Sequence, residues 1–151
     1  MFKEQQNKWD LRYLGLAQFI AQWSKDPSTK TGAVIVSKLG SIVSVGYNGF
    51  ARGVIDTEER LSNREEKYKM IVHCERNAII FAQRDLTDCT LYTYPFMSCG
   101  PCAGMVIQTG IKRCVAPINN NPRWTADFEL TKTMFNEAGI KLDLLEYPIG
   151  D

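Results

Sequence analysis

A chain of 151 residues with 44% apolar side chains suffices for one domain that buries roughly two-thirds of the surface its unfolded form exposes. Eighteen basic and seventeen acidic residues leave a formal charge of +1, which excludes a global field drawing the protein to nucleic acid or an anionic membrane. No stretch approaches the ~20 apolar residues that span a bilayer, and the opening MFKEQQNKWD lacks a signal pattern, so a soluble cytoplasmic protein is expected.

In chain order, Trp9, Tyr13, Leu16, Ile20 and Trp23 recur at helical steps and predict an amphipathic first helix whose apolar stripe, both tryptophans included, faces the core. Pro27 in KDPS stops it. AVIVSKLGSIVSVGYNG holds two β-rich runs around Lys38–Ser41, predicting a hairpin of strands 33–37 and 41–47. Residues 51–70, ARGVIDTEERLSNREEKYKM, carry most of the clustered charge and read as a solvated segment, whether loop, lid or helix. Beyond them the pattern alternates: helix 73–84, strand 89–94, helix 100–109, strand 113–117, helix 126–138, strand 141–146. Such alternation argues an α/β layer fold with parallel strands and right-handed crossovers in its second half. No linker, repeat or low-complexity tract divides residues 1–151, so a single domain is expected.

Five cysteines, at 74, 89, 99, 102 and 114, are an odd count in a chain with no export signal, which favours reduced thiols or metal ligands over a disulfide framework. The single histidine stands in HCE at 73–75, and two of the cysteines in SCGPCAG at 98–104. His73, Cys99 and Cys102 make the three-ligand set of a catalytic zinc, which keeps water in its fourth position. In a helix interior, residues two apart point to nearly opposite faces, so His73 and Glu75 can share one centre only from a first turn aimed at the metal. Cys99 and Cys102 would share a face at the start of the next helix. Two helix N-termini would then converge on the site, where their partial positive charge favours thiolate and hydroxide. Glu75 is the natural proton carrier there. The competing reading is a structural zinc closed by Cys74 or Cys89. Cys74, however, is rotated ~100° from His73 on a helix, and Cys89 and Cys114 lie in strand-like runs as small core residues.

His-x-Glu followed by Cys-x-x-Cys is the signature of the zinc nucleobase deaminases, and the chain resembles the deoxycytidylate (dCMP) deaminases among them. SKDPSTKTGAVIV, GYNG, HCERNAI, SCGPCAGMVIQTGIKRCV and NEAGIKL carry the likeness along most of the length. The resemblance implies a three-layer α/β/α cytidine-deaminase-like fold with a mixed five-stranded sheet. It also implies a catalytic Zn²⁺ and hydrolytic deamination of dCMP to dUMP and ammonia, feeding thymidylate synthesis, with Glu75 moving protons between water, ring N3 and the departing amine. Asn48 resembles a position that contacts sugar or base, Ser24 and Lys30 resemble anion-contacting positions, and a backbone N–H near Cys99 helps hold water or base. Arg123 and Trp124 fall on a loop after a strand, where open α/β sheets bind ligands, and are candidates to cover base or phosphate. One departure stands out: Ser98 precedes Cys99 where the family pattern has proline, so the pocket wall above the base is expected to differ.

Relatives assemble through their metal helices, and NAIIFA at 77–82 is apolar on several faces, so a homo-oligomer is expected, a hexamer among the sizes considered. The resemblance further implies activation by dCTP and inhibition by dTTP through a triphosphate–Mg²⁺ site near Gly46, Tyr47, Asn48 and Gly49. Arg52, Arg60 and Arg64 would be phosphate partners there. Three rival functions remain. A tRNA adenosine deaminase shares the metal motif but has a polyanion to hold, which the balanced charge disfavours. A nucleoside-level cytidine deaminase would not need Lys30, and a non-enzymatic zinc-binding interaction module would not need Glu75.

Overall fold

The computed structural model describes residues 2–149. Helix α1 (Phe2–Ala21) leads to the hairpin β1 (Gly32–Val36) and β2 (Ile42–Tyr47), then to the two-residue strand β3 (Gly49–Phe50). Two short helices follow, α2 (Glu58–Ser62) and α3 (Arg64–Met70), and then β4 (Ile71–Val72). The remainder alternates as predicted: α4 (Cys74–Ala82), β5 (Thr90–Tyr94), α5 (Gly100–Gln108), β6 (Arg113–Pro117), α6 (Thr125–Ala138) and β7 (Lys141–Leu145). A 3₁₀ turn, Pro122–Trp124, precedes α6.

The main sheet has the order β2-β1-β5-β6-β7. β1 is antiparallel to both β2 and β5, whereas β5, β6 and β7 run parallel, so the sheet is mixed and five-stranded as the resemblance implied. Every residue of β1 is buried, and its side chains alternate between two cores. Ala33 and Ile35 pack with Cys74 and Ala78 of α4, Ala103 and Val106 of α5 and Phe135 of α6. Val34 and Val36 pack with Tyr13, Leu14, Ala17 and Ala21 of α1. The period-two alternation of a strand thus sets α1 on one face and α4, α5 and α6 on the other, giving three layers. Two glycines allow the close approach: a Cβ on Gly32 would lie 2.1 Å from the Ala17 carbonyl oxygen, and one on Gly46 would lie 2.5 Å from that of Cys74. Cys89 and Cys114 are buried core residues. No helix among the described residues is long and apolar enough to cross a membrane.

The first helix differs from its expected face. Tyr13 and Ile20 are buried, but Trp9 and Trp23 are 48% and 54% exposed. The buried stripe runs instead through Asp10, Tyr13, Leu14, Ala17 and Ala21. A carboxylate and two alanines hide that stripe from a reading based on large apolar residues, and the alanines let α1 lie close against β1. Trp9 stacks on Tyr13 at its flank, while Trp23 lies past the helix end against Phe19 and Tyr47.

Residues 51–70 also differ from the plain solvated segment expected. Leu61 and Lys67 are buried, and β3 pairs antiparallel with β4 through Gly49↔Val72 and Phe50↔Ile71. α3 is therefore pinned beside the α1–β1 connection by Lys67, whose Nζ lies 3.0 Å from Asp26 Oδ1.

Candidate active site

The local backbone at both metal-ligand motifs follows from helix starts. His73 is the N-cap of α4 and Cys99 the N-cap of α5, both with extended backbone and neither with a side-chain capping bond. Their side chains are left to face each other, because capping would turn them back onto their own helices. Pro101 sits in the first turn of α5, where a missing N–H costs nothing. One turn further, Cys102 returns to the same side as Cys99.

His73 Nδ1 lies 3.2 Å from Cys102 Sγ and 3.5 Å from Cys99 Sγ, and the three ligand atoms fall within 4.8 Å of one another. Metal–ligand lengths of about 2.0–2.3 Å in a tetrahedral zinc site put such donors about 3.5 Å apart, so the donor set fits zinc in both type and spacing. This is the only such cluster of histidine, cysteine or carboxylate donors among the described residues. Cys74, the neighbour of His73, is buried in the core cluster and does not join it. Hydrogen bonding with Cys102 brings the Cys99 thiol down to about 4, and the same bond pushes the Cys102 thiol up. The bond with Cys99 likewise raises the imidazole of His73 against the opposing effect of burial.

Glu75, in the first turn of α4, is 5% exposed. Its Oε1 lies 3.8 Å from His73 Nδ1 and its Oε2 accepts a hydrogen bond from Ser98 Oγ at 3.0 Å. Burial raises the carboxyl above its ordinary 4.5, against the opposing pull of His73 and Ser98. A carboxyl that takes up a proton more readily than usual, beside a zinc-type donor set, suits general acid–base work. Ser98 is itself buried, and its carbonyl accepts a hydrogen bond from Thr131 Oγ1 at 2.8 Å. The residue that stands where proline was expected is thus fixed from α6 and braces Glu75.

His73, Glu75 and Cys99 open into a cavity of about 350 Å³. One wall is aromatic: Phe96 packs on Trp124 and Phe128 with ring centroids 5.3 and 5.7 Å apart. Above it, Arg123 stacks over the Trp124 ring at 4.6 Å and donates to the Tyr68 hydroxyl, joining the turn before α6 to α3. Both predicted residues of that turn therefore line the cavity. The Gly100 N–H, next to Cys99, donates to Asp127 Oδ1 at 3.4 Å.

Asp26, Ser28, Thr29, Thr31, Asn48 and Lys67 also line the cavity. Asn48 lines the cavity, with both ends of its amide engaged: Oδ1 accepts from the Thr31 N–H at 2.9 Å, and Nδ2 donates to the Thr29 carbonyl at 2.9 Å. Ser24 is buried and donates to the Asn48 carbonyl at 2.9 Å, while Lys30 is exposed; neither lines the cavity. Gly46 serves the packing of β2 on α4, Gly49 has open space around it, Tyr47 meets Trp23, and Arg52 lies over the Phe81 ring at 5.8 Å.

Sequence reasoning missed Lys67, Asp26, Tyr68 and Asp127. Lys67 and Tyr68 carried no metal or motif signature, Asp26 sat unremarked within SKDPSTKTGAVIV, and Asp127 looks like any acidic residue in the first turn of a helix.

Comparison with known proteins agrees with this site. Residues 7–117 match the family model described as the cytidine and deoxycytidylate deaminase zinc-binding region. A protein of Aliivibrio fischeri, named an uncharacterized deaminase in the luxG 3′ region, is 40% identical over 146 residues, covering 95% of this chain and 97% of its own. A probable deoxycytidylate deaminase of Caenorhabditis elegans is 38% identical over 141 residues, covering 91% of this chain and 70% of its own. In fold, the chain superposes on the dCMP deaminase of cyanophage S-TIM5, solved in complex with dCMP and dUMP. The TM-score is 0.70 at 23% identity, over 89% of this chain and 94% of that one. With the His73, Cys99 and Cys102 donors and the buried Glu75 all inside the matched region, the chain belongs to the cytidine and deoxycytidylate deaminase zinc-binding family.

Proposed function

We propose that the protein hydrolytically deaminates dCMP to dUMP and ammonia. The observation that carries the reading is the buried Glu75 carboxyl beside the His73, Cys99 and Cys102 donors, opening into a cavity with an aromatic wall. The relatives named as deoxycytidylate deaminases support the choice of nucleotide.

His73, Cys99 and Cys102 would hold the zinc, which when bound supplies a Lewis acid that acidifies water. Ser98 keeps Glu75 Oε2 fixed, which leaves Oε1 directed toward the ligand side. Glu75 takes the proton of the attacking water and delivers it to cytosine N3 as the new bond forms at C4. It then carries the hydroxyl proton to the exocyclic amine, so that the C4–N4 bond breaks, ammonia leaves and uracil remains. Phe96, Trp124 and Phe128 offer apolar faces for the base and exclude water, and Arg123 stacks over the Trp124 ring beside them.

The same reading extends to assembly and control. Ile80 and Phe81 are exposed on α4, which supports a homo-oligomer built through that helix. Regulation by dCTP and dTTP with Mg²⁺ at the Gly46–Gly49 end of β2 rests on the family resemblance, and titrating both triphosphates into a subsaturating dCMP assay tests it.

For the reaction itself, purified zinc-loaded protein is incubated with dCMP, CMP, deoxycytidine and cytidine while ammonia is recorded. Preferential release from dCMP is expected, and no release from any cytosine compound would end the deaminase reading.

A further inference from the structure

The backbone on both sides of Cys99 is held by a single neighbouring helix. Before it, the Ser98 carbonyl accepts a hydrogen bond from Thr131 Oγ1 at 2.8 Å; after it, the Gly100 N–H donates to Asp127 Oδ1 at 3.4 Å. Asp127 and Thr131 lie four apart on α6, so one face of that helix supplies both partners. The same face runs close along α5. A Cβ on Gly100 would lie 3.2 Å from Leu130 Cδ2, and one on Gly104, a turn later, 3.7 Å from Met134 Cε.

Both contacts depart from what the helices would do alone. A threonine inside a helix can turn its hydroxyl back to the carbonyl four residues earlier, and Thr133 does so, donating to the Glu129 carbonyl at 3.1 Å. Thr131, fully buried two positions away, reaches across to Ser98 instead. On α5 the N-cap Cys99 makes no side-chain capping bond, and the first N–H after it takes its acceptor from α6.

We propose that Asp127 and Thr131 are a pair of positioning residues for the reaction, which clamp the chain on either side of Cys99 and so set both a metal ligand and the proton carrier in one frame. The link to the proton carrier is Ser98: its carbonyl is held by Thr131, and its hydroxyl holds Glu75 Oε2. A displacement of the backbone at residue 98 would therefore move the Cys99 thiol and the Glu75 carboxyl together. Residues that orient metal ligands typically contribute about 10- to 100-fold to metal affinity or activity. The kinetic consequence rests on the deaminase reading above, whereas the metal-binding consequence does not.

The test measures zinc affinity by chelator competition, the visible spectrum of Co²⁺-loaded protein and steady-state kinetics on dCMP. It compares the wild type with Thr131→Val, Thr131→Ser, Asp127→Ala and Asp127→Asn. Thr131→Val keeps the side-chain shape and removes the hydroxyl; Asp127→Ala removes the acceptor. Each is expected to weaken zinc by about 10-fold or more, to change the cobalt spectrum and to lower kcat about 10-fold with KM unchanged. Thr131→Ser and Asp127→Asn, which keep a donor and an acceptor in place, should recover most of the loss. A lower melting temperature of the metal-free variants with zinc affinity and cobalt spectrum unmoved would mean a purely structural role and overturn the proposal. A loss in Asp127→Asn equal to that in Asp127→Ala would mean that the charge acts rather than the bond, and overturns it for Asp127. Because Asp127 is only half-buried, its variants decide the matter should the Thr131→Val chain not fold. The expected metal-binding losses, in a protein whose wild type releases no ammonia from dCMP, would sink the deaminase reading and leave the clamp standing. Deamination by the wild type, with zinc binding and rate unchanged in Thr131→Val and Asp127→Ala, would do the reverse.

Discussion

Ser98 Oγ donates to Glu75 Oε2 at 3.0 Å, joining the residue before the α5 N-cap to the first turn of α4 inside the protein. Ser98→Ala should leave zinc content and fold intact but lower kcat several-fold, because a carboxyl freed at one oxygen samples orientations that do not reach the base. Ser98→Thr should restore much of the rate by keeping the hydroxyl. Steady-state kinetics with metal analysis on the same samples would decide it, and an unchanged kcat in the alanine variant would remove Ser98 from this role.

Glu75→Gln should retain zinc and lose about 10²–10⁴-fold in turnover, the usual contribution of a general acid–base group. The same change should stabilise the metal-free protein at neutral pH. Burial raises the folded-state carboxyl above 4.5, so ionised Glu75 costs stability once the pH exceeds the ordinary value, and a neutral amide removes that cost. For a chain of this size the melting temperature should rise roughly 2–4 °C for each kcal/mol relieved. Thermal scans of both apo-proteins at pH 7 supply the measurement.

Cys99→Ala and Cys102→Ala should each abolish stoichiometric zinc, since a three-ligand site has no spare donor. In the wild type, zinc affinity should climb with pH through neutrality by about tenfold per unit for each proton displaced. The direction follows from the thiol pair: Cys99 is brought to about 4 and is already ionised, whereas Cys102 is raised and must give up its proton to bind metal. Competition with a chelator of known affinity at several pH values reads both. Full zinc retention in either variant contradicts the ligand set.

Asp10 predicts the response to acid. Burial alone would raise its carboxyl, but the bonds from Arg113 and Tyr92 outweigh burial and hold it below 3.8. A depressed carboxylate stabilises the fold above its unfolded value and loses that contribution as the pH falls from about 3.8 through the folded value. Asp10→Asn should therefore flatten the loss of stability between pH 4 and pH 2. Arg113→Ala, which leaves the buried carboxylate unpaired, should cost about 3–5 kcal/mol at pH 7. Urea unfolding across that range measures both.

The parallel half of the fold and the metal ligands were legible because each has a short-range signature: alternating periodicities for β5 through β7, and ligand-type residues at fixed spacing for His73, Cys99 and Cys102. The helix starts that aim those ligands followed from the same spacing. The face of α1 was misread because Asp10 belongs to the buried stripe by virtue of Tyr92 and Arg113, 82 and 103 positions later in the chain. Lys67 was hidden for the same reason. In a run of charges it resembles its solvated neighbours, and only tertiary structure brings Asp26 to it across 41 positions. Long-range charge pairs leave no periodic trace in a sequence.

The pairing of Gly49 with Val72 brings the two ends of the 50–71 stretch together at one point on the surface of the domain. A closed loop of this kind is a cassette: its length and composition can change while the strands and the metal helices on either side keep their places. Lys67 and Tyr68 lie inside it, and all three metal ligands lie outside. Exchanging this one stretch between homologues should therefore change the cavity wall that Lys67 and Tyr68 supply while the metal ligands stay as they are, a modular division that would let specificity diverge faster than chemistry.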